Sequence, residues 1–293
     1  MNHILPKPLK KGDTIGVIAP SGPVGDNEPL MRAKSFFEEN GYKVVFAEHV
    51  FEQDRYLASS DKNRIEDIHW AFSSPDIDTI ICARGGYGAL RLINDIDYEI
   101  IKNNPKNFCG YSDITVLSAM FLKRANLITY SSPMMKGDFG AKTHDEYTIK
   151  SFFKALSGES ITLSGEKIHA SGTAKGILWG GNLASIVSLA GIDFIPDEEF
   201  VFFAEDLNEP VYKIDKMFTQ LINIEKFRKN IRGMALGKFL DSGYPEQLEY
   251  LFDEIARGFN IPVISGLNIS HEDTKDTVPY GKECVLEDNK LVI

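Results

Sequence analysis

Through its first half this chain alternates short apolar runs with amphipathic stretches, and that alternation constrains its fold more than any other feature. Thr14-Ile-Gly-Val-Ile-Ala19 predicts a strand, Leu30 to Asn40 a helix, Lys43 to Ala47 a strand and Ser60 to Ser73 a helix. Thr79 to Ala83 then predicts a strand, Gly88 to Ile93 a short helix, Leu127 to Tyr130 a strand and Tyr147 to Leu156 a helix. Strands joined through helices pair in parallel, and their near-continuous hydrophobicity marks a sheet covered on both faces. The expected class is α/β, with an N-terminal doubly wound parallel-sheet domain over residues 1–156. Residues 157–174 are polar and without helical period, and read as a linker or an intervening hairpin. Residues 175–293 mix helices (Gly181 to Leu189, Val211 to Ile222, Pro245 to Phe259) with strands near Phe200, Met234, Val263 and Cys284. They predict a second, mixed α/β domain, and a site at the interface of the two.

Within that frame one corner stands out. Asn107-Phe-Cys-Gly-Tyr-Ser112 passes directly into Asp113 to Arg124, whose apolar residues recur at helical spacing. Ser112 therefore stands where a strand turns into a helix, beside free N–H groups and the positive end of the helix dipole, which suit a developing oxyanion. The plain alternative is that Gly-Tyr-Ser-Asp only caps the helix, since Ser and Asp are common N-caps. Two more apolar runs end in reactive side chains. Phe200 to Ala204 leads into Glu205-Asp206, and Ile261 to Ile269 leads into Ser270-His271-Glu272. In open α/β sheets sites lie outside the carboxyl ends of strands, so Ser112, Glu205 and His271 are expected to converge as nucleophile, orienting carboxylate and base. An imidazole accepts a serine proton near neutral pH. The other histidines (His3, His49, His69, His144, His169) read mostly as solvent-facing.

Arg84-Gly-Gly-Tyr-Gly88 follows a strand but matches neither GxGxxG nor GK[ST]. Its glycines, Gly85 among them, are read as bringing backbone N–H groups close to a substrate, and Arg84 as the partner of a substrate carboxylate or of a structural ion pair. Among Glu205, Asp206 and Glu209 the residues alone do not choose. Asp206 and Glu209 are equally suited to hold a substrate amine or to cap the helix beginning near Val211. Trp179-Gly-Gly-Asn182 is a packing turn or a site loop, with Asn182 the substrate-binding candidate. Cys109, close to Ser112, offers a cysteine nucleophile as an alternative, set against the inertness of buried strand thiols.

Those motifs, Arg84-Gly-Gly-Tyr-Gly88, Gly110-Tyr-Ser-Asp113, Trp179-Gly-Gly-Asn-Leu183, Glu205-Asp-Leu-Asn-Glu-Pro210 and Ser270-His-Glu272, occur in the order that resembles the LD-carboxypeptidase (muramoyltetrapeptide carboxypeptidase) family of serine peptidases. The resemblance implies a Ser112, His271, Glu205 triad and an oxyanion hole from the N–H groups of Gly86, with Gly85 beside it, and Asp113. It implies a murein peptide substrate, cleaved to release terminal D-Ala during cell-wall recycling, no cofactor or metal, and a homodimer. Many relatives carry His-Gly-Pro at Ser131-Ser-Pro133 and Gly at Ser270; the triad positions are intact. Two other readings remain: an immunity-type peptidase acting on peptide-nucleotide antibiotics, disfavoured by the short segment from Gly181 to Glu205, and a non-catalytic small-molecule-binding α/β module.

The formal net charge of −10 argues against nucleic acid and anionic membrane as partners. Three cysteines without metal-type spacing predict neither a disulfide framework nor a zinc site. The N-terminal stretch lacks an apolar signal core and no run approaches a membrane span, so a cytoplasmic location is expected.

Overall fold

The computed structural model describes residues 3–293. Its N-terminal elements are β1 (Thr14–Ile18), α1 (Glu28–Glu39), β2 (Lys43–Phe46), α2 (Asp61–Ser73), β3 (Thr79–Cys82), α3 (Tyr98–Asn103), β4 (Asn107–Cys109), α4 (Thr115–Ala125), β5 (Thr129–Ser131) and α5 (Glu146–Leu156). The remainder holds β6 (Thr162–Ser164), β7 (Lys167–Ala170), β8 (Thr173–Asn182), α6 (Leu183–Val187), β9 (Phe200–Leu207), α7 (Val211–Ile222), α8 (Glu225–Asn230) and β10 (Ile231–Leu240). It ends with α9 (Pro245–Phe259), β11 (Val263–Ser265), β12 (Val278–Tyr280), β13 (Glu283–Glu287) and β14 (Lys290–Val292).

Five parallel strands in the order β5-β4-β3-β1-β2 form the first sheet, closed at its β5 edge by antiparallel β12. The chain runs from β1 to β2 on one side and then crosses to β3 on the other. The loops leaving β1 and β3 therefore diverge and open a crevice at the carboxyl ends of the strands. Strands β1 and β3 are almost wholly buried, as expected for strands covered on both faces.

The second sheet has eight strands in the order β6-β14-β13-β8-β9-β10-β11-β7. Residues 157–174 are thus not a linker, and β6 and β7 do not pair with each other as a hairpin. They occupy opposite edges of the sheet, β6 against β14 and β7 against β11, with only Gly165 and Glu166 between them. Three peptide steps span roughly 11 Å at most, so the two edges must come together and the sheet curls into a near-closed barrel. Its interior is filled: a Cβ on Gly233 would come within 2.9 Å of Ala174 and 3.0 Å of Leu286.

Three further expectations are corrected. Trp179-Gly-Gly-Asn182 is the end of β8, paired in parallel with β9 as far as Asn182 opposite Glu205, and not a turn. Strand β9 continues through Glu205 and Asp206 to Leu207, because β10 pairs alongside it. Conversely the apolar run after Ile261 is extended only over Val263–Ser265; Gly266, at φ 81°, turns the chain away, and His271 lies in the loop beyond.

The two units interlock. Helix α4 buries nine of its 11 residues, so the helix that begins at the Ser112 corner is buried all round rather than amphipathic at a surface. Among the described residues no helix is long and apolar enough to cross a membrane. At the seam of β8 and β9 the backbones pass so closely that a Cβ on Gly180 (φ 146°) would stand 1.8 Å from the Phe203 carbonyl oxygen. Gly180→Ala should therefore cost at least about 3 kcal/mol, read by chemical denaturation; a loss under about 1 kcal/mol would mean that the seam yields.

Candidate active site

Ser112 follows β4 in the left-handed region, at φ 63°, and opens a 3-10 turn, Ser112–Ile114, that runs into α4. A non-glycine residue held there costs on the order of 1–2 kcal/mol, so its surroundings must impose it. They do so by crowding. A Cβ on Gly85 would lie 2.9 Å from Ser112 Cβ and 3.1 Å from its Oγ, and one on Gly86 (φ 119°) would lie 3.2 Å from Gly22 Cα. Gly22 N–H donates to the Gly85 carbonyl at 3.2 Å. The loops after β1, β3 and β4 are in backbone contact around one hydroxyl.

Two buried charges hold them together. Asp113 Oδ2 accepts from Ser21 Oγ at 2.6 Å and from Ala89 N–H at 2.9 Å, and burial pushes its carboxyl up despite these bonds. Arg64, 1% exposed, donates from one nitrogen to the carbonyls of Pro20 at 2.6 Å and Gly88 at 3.0 Å, and pairs with Asp61. Asp113 enters the sequence reading only as a backbone N–H donor or as part of a helix cap, and Arg64 does not enter it. Nothing in an arginine on an ordinary helix period signals that its head group reaches two loops. Among the described residues the N–H groups of Gly86 and Asp113 meet no backbone or side-chain acceptor, so both are free to serve an oxyanion.

From the second unit, His271 Nδ1 lies 2.6 Å from Glu205 Oε2. Glu205 and Asp206 are neighbours on a strand and point to opposite faces, which resolves the choice among the acids. Glu205, 3% exposed, meets His271. Asp206 accepts from Asn182 Nδ2 and from the N–H groups of Ala184 and Leu207, and burial pushes its carboxyl up to about 6. Glu209 pairs with Lys213 at 3.3 Å on α7, away from the lining of the Ser112 cavity. Asn182 also stays out of that lining. It caps α6 through Ser185 N–H, and its own N–H donates to Thr115 Oγ1 at 3.1 Å, tying β8 to α4.

The loop carrying His271 is anchored by the first unit. Thr148 Oγ1 donates to the Asp273 carbonyl, Ser151 Oγ to Asp276, and Thr274 Oγ1 to Asp145. The Tyr111 ring meets the His271 ring edge to face at 4.9 Å, and Lys275, ion-paired with Asp138, donates to the Tyr111 hydroxyl at 3.2 Å. Ser112 and His271 line one cavity of about 340 Å³ with Arg84, Gly85, Gly86 and Lys136. A wider depression of about 670 Å³ lies between α7, α8 and α9, but its walls carry no histidine and no hydroxyl or thiol nucleophile. Chemistry, not size, selects the smaller one.

His49 and His169 are not solvent-facing as expected. His49 pairs with Asp67 at 2.8 Å, and His169 bridges Asp253 at 2.6 Å and Ser265 Oγ at 2.8 Å. Ser265 sits within β11 with no strained corner and no free helix N-terminus, so this second Ser-His-Asp chain joins α9 to the sheet. All three cysteines are buried and unpaired, and burial pushes the Cys109 thiol up to about 12, which argues against a thiolate at neutral pH. Among the described residues no group of three or more His, Cys, Asp or Glu side chains is placed to hold a metal ion.

Comparison with known proteins follows the same division. The LD-carboxypeptidase N-terminal domain family matches residues 15–132 and the LD-carboxypeptidase C-terminal domain family residues 175–286. A probable murein peptide carboxypeptidase of Bacillus subtilis is 32% identical over 96% of this chain and 91% of its own. The crystal structure of a muramoyltetrapeptide carboxypeptidase from Oxalobacter formigenes superposes with a TM-score of 0.85 at 29% identity, covering 95% of this chain and 97% of that one. An MccF-like protein from Bacillus anthracis superposes with a TM-score of 0.91 at 27% identity, covering 99% of both chains.

Because a Cβ at position 85 would press directly on Ser112, Gly85→Ala should slow labelling of Ser112 by a fluorophosphonate at least ~10-fold while costing stability only about 1–3 kcal/mol. Unchanged labelling would show that the two loops are not tightly fitted.

Proposed function

Since this chain belongs to the LD-carboxypeptidase family, we propose that it is a serine carboxypeptidase releasing terminal D-Ala from murein tetrapeptide in cell-wall recycling. The observation that carries this reading is the 2.6 Å His271 to Glu205 bond, made from Nδ1 and facing a cavity shared with Ser112. With Nδ1 committed to Glu205, Nε2 is left to take the Ser112 proton, and the carboxylate stabilises the imidazolium that results.

Ser112 Oγ attacks the scissile carbonyl as His271 Nε2 accepts its proton. The oxyanion is received by the N–H groups of Gly86 and Asp113. Collapse of the tetrahedral intermediate breaks the C–N bond, His271 returns the proton to the departing amine, and D-Ala leaves. A water then gives a proton to His271 and attacks the acyl-enzyme, and the second collapse frees Ser112 and the shortened peptide. Among the described residues no hydrogen bond yet joins Ser112 and His271; such bonds commonly tighten when substrate arrives.

Purified protein should convert murein tetrapeptide to tripeptide plus D-Ala by mass spectrometry, an all-L analogue should react poorly, and Ser112→Ala should lower kcat by at least ~10⁴. Equal turnover of the all-L peptide would remove the stereochemical claim, and a Ser112→Ala protein with a tenth of wild-type rate would remove the serine mechanism. A second reading, the immunity-type peptidase, draws on the 0.91 superposition with the MccF-like protein. Faster cleavage of an aminoacyl-nucleotide conjugate than of tetrapeptide would establish it instead.

Glu205 and His271 should act as one unit. The double variant His271→Ala, Glu205→Ala is expected to be hardly slower than His271→Ala alone, since effects within a triad are strongly non-additive. Full additivity in kcat would place Glu205 outside the reacting group.

A further inference from the structure

One wall of the Ser112 cavity carries two cations that the triad does not use. Arg84 follows β3, and Lys136 sits on a π turn, Met135–Phe139, whose Lys136 N–H donates to the Ala83 carbonyl at 2.8 Å, setting the two residues side by side. Both reach toward the loop after β1. Arg84 donates to the carbonyls of Gly85 and Pro23 at 3.2 and 3.3 Å, and Lys136 Nζ to that of Val24 at 2.5 Å. Among the described residues neither has a carboxylate within ion-pair distance; Asp26 acts on Lys136 only from beyond it. The carboxylate on the same turn is already committed, for Asp138 pairs with Lys275. Burial and the charge of Arg84 both push the Lys136 ammonium down from its usual range, so the pair is uncompensated as it stands.

The donors are not exhausted. A guanidinium has five N–H groups and an ammonium three; Arg84 uses Nε and one terminal nitrogen, and Lys136 uses one bond. The other terminal nitrogen of Arg84 would lie 3.8 Å from a Cβ on Gly86, beside the oxyanion glycine. By standard bond lengths the free carboxylate of a one-residue leaving group lies within roughly 5 Å of the scissile carbon. An anion site next to the oxyanion loop is therefore at the reach of a single departing amino acid.

We infer that Arg84 and Lys136 together form a carboxylate-binding subsite that reads the free C-terminus of a one-residue leaving group and restricts cleavage to that position. This rests on Ser112 being the nucleophile of a carboxypeptidase. Lys136 is thereby a specificity residue that the sequence reading did not single out. A half-buried pair of cations without a carboxylate partner favours ligands that pair with it, so a C-terminal amide, or a further residue that displaces the carboxylate, is disfavoured.

Tetrapeptide and its C-terminal carboxamide are compared with wild type, Lys136→Met and Lys136→Arg. Wild type should prefer the acid at least ~100-fold in kcat/KM. Lys136→Met should lower kcat/KM for the acid ~10-fold or more, chiefly through KM, without lowering it for the amide, and be partly rescued in Lys136→Arg. Equal losses on acid and amide would make Lys136 merely structural and overturn the inference. A parallel titration separates it from the proposed reaction: N-acetyl-D-alanine and N-acetyl-D-alaninamide are added to the Ser112→Ala protein and followed by NMR. Preferential binding of the acid, lost in Ser112→Ala with Lys136→Met, supports the subsite even if tetrapeptide proves not to be the substrate. No preference for the acid overturns it whatever the turnover result.

Discussion

The site depends on the contact of three loop backbones around a single left-handed serine. Ser112 can hold φ 63° only because Gly85 brings no side chain where a Cβ would press against it. That packing is in turn kept by polar groups buried beneath it. Asp113 accepts from the loop after β1 and from the turn after β3, and Arg64 binds carbonyls of the same two segments. Each would be costly to bury without these bonds. A network of this kind favours one geometry over others of similar energy, although the buried Arg64 Nε takes no partner in it.

The second unit brings a histidine and a carboxylate to that corner. Its rolled sheet brings Glu205 to the carboxyl end of β9, while the loop from Gly266 to Thr277 carries His271 back across the first unit, held by Asp145, Thr148 and Ser151 on and beside α5. Strand β12 then joins the edge of the first sheet at β5. His271 is therefore positioned by both units, and Glu205 by one. Thr115 bonded to Asn182, and Gly181 too close to Thr115 to admit a side chain, lock α4 against β8.

Placement also separates residues that look alike in one dimension. Among the described residues two histidines bond a carboxylate near a serine, yet His169 with Asp253 and Ser265 joins a helix to a sheet, whereas His271 with Glu205 faces a cavity beside free N–H groups. Two lysines lie near Tyr111 and Arg84, but Lys275 is neutralised by Asp138 and Lys136 is not. Connectivity and residue type are shared in each case. Burial and the surrounding backbone assign the difference.

Local pattern was enough for much of this. The periodicity of apolar residues determined the βα alternation of the first half, the helices at Val211 and Pro245, and the strand-to-helix corner at Ser112, because each depends on residues within one or two turns of one another. The motifs around Ser112, Glu205 and His271 likewise stand on the sequence alone, and they identified the family. Other features were decided by partners distant in the chain. Strands β6 and β7 are too short and polar to signal themselves and exist through pairing with β14 and β11. The run beyond Ile261 was apolar enough for a long strand, yet Gly266 bends it away. The choice of Glu205 over Asp206 and Glu209 followed from which face of β9 meets His271, and Arg64 and Lys136 became visible only when loops far apart in sequence closed on one cavity. A hydrogen bond or an uncompensated charge is a property of two positions in space, and only the folded chain fixes which positions those are.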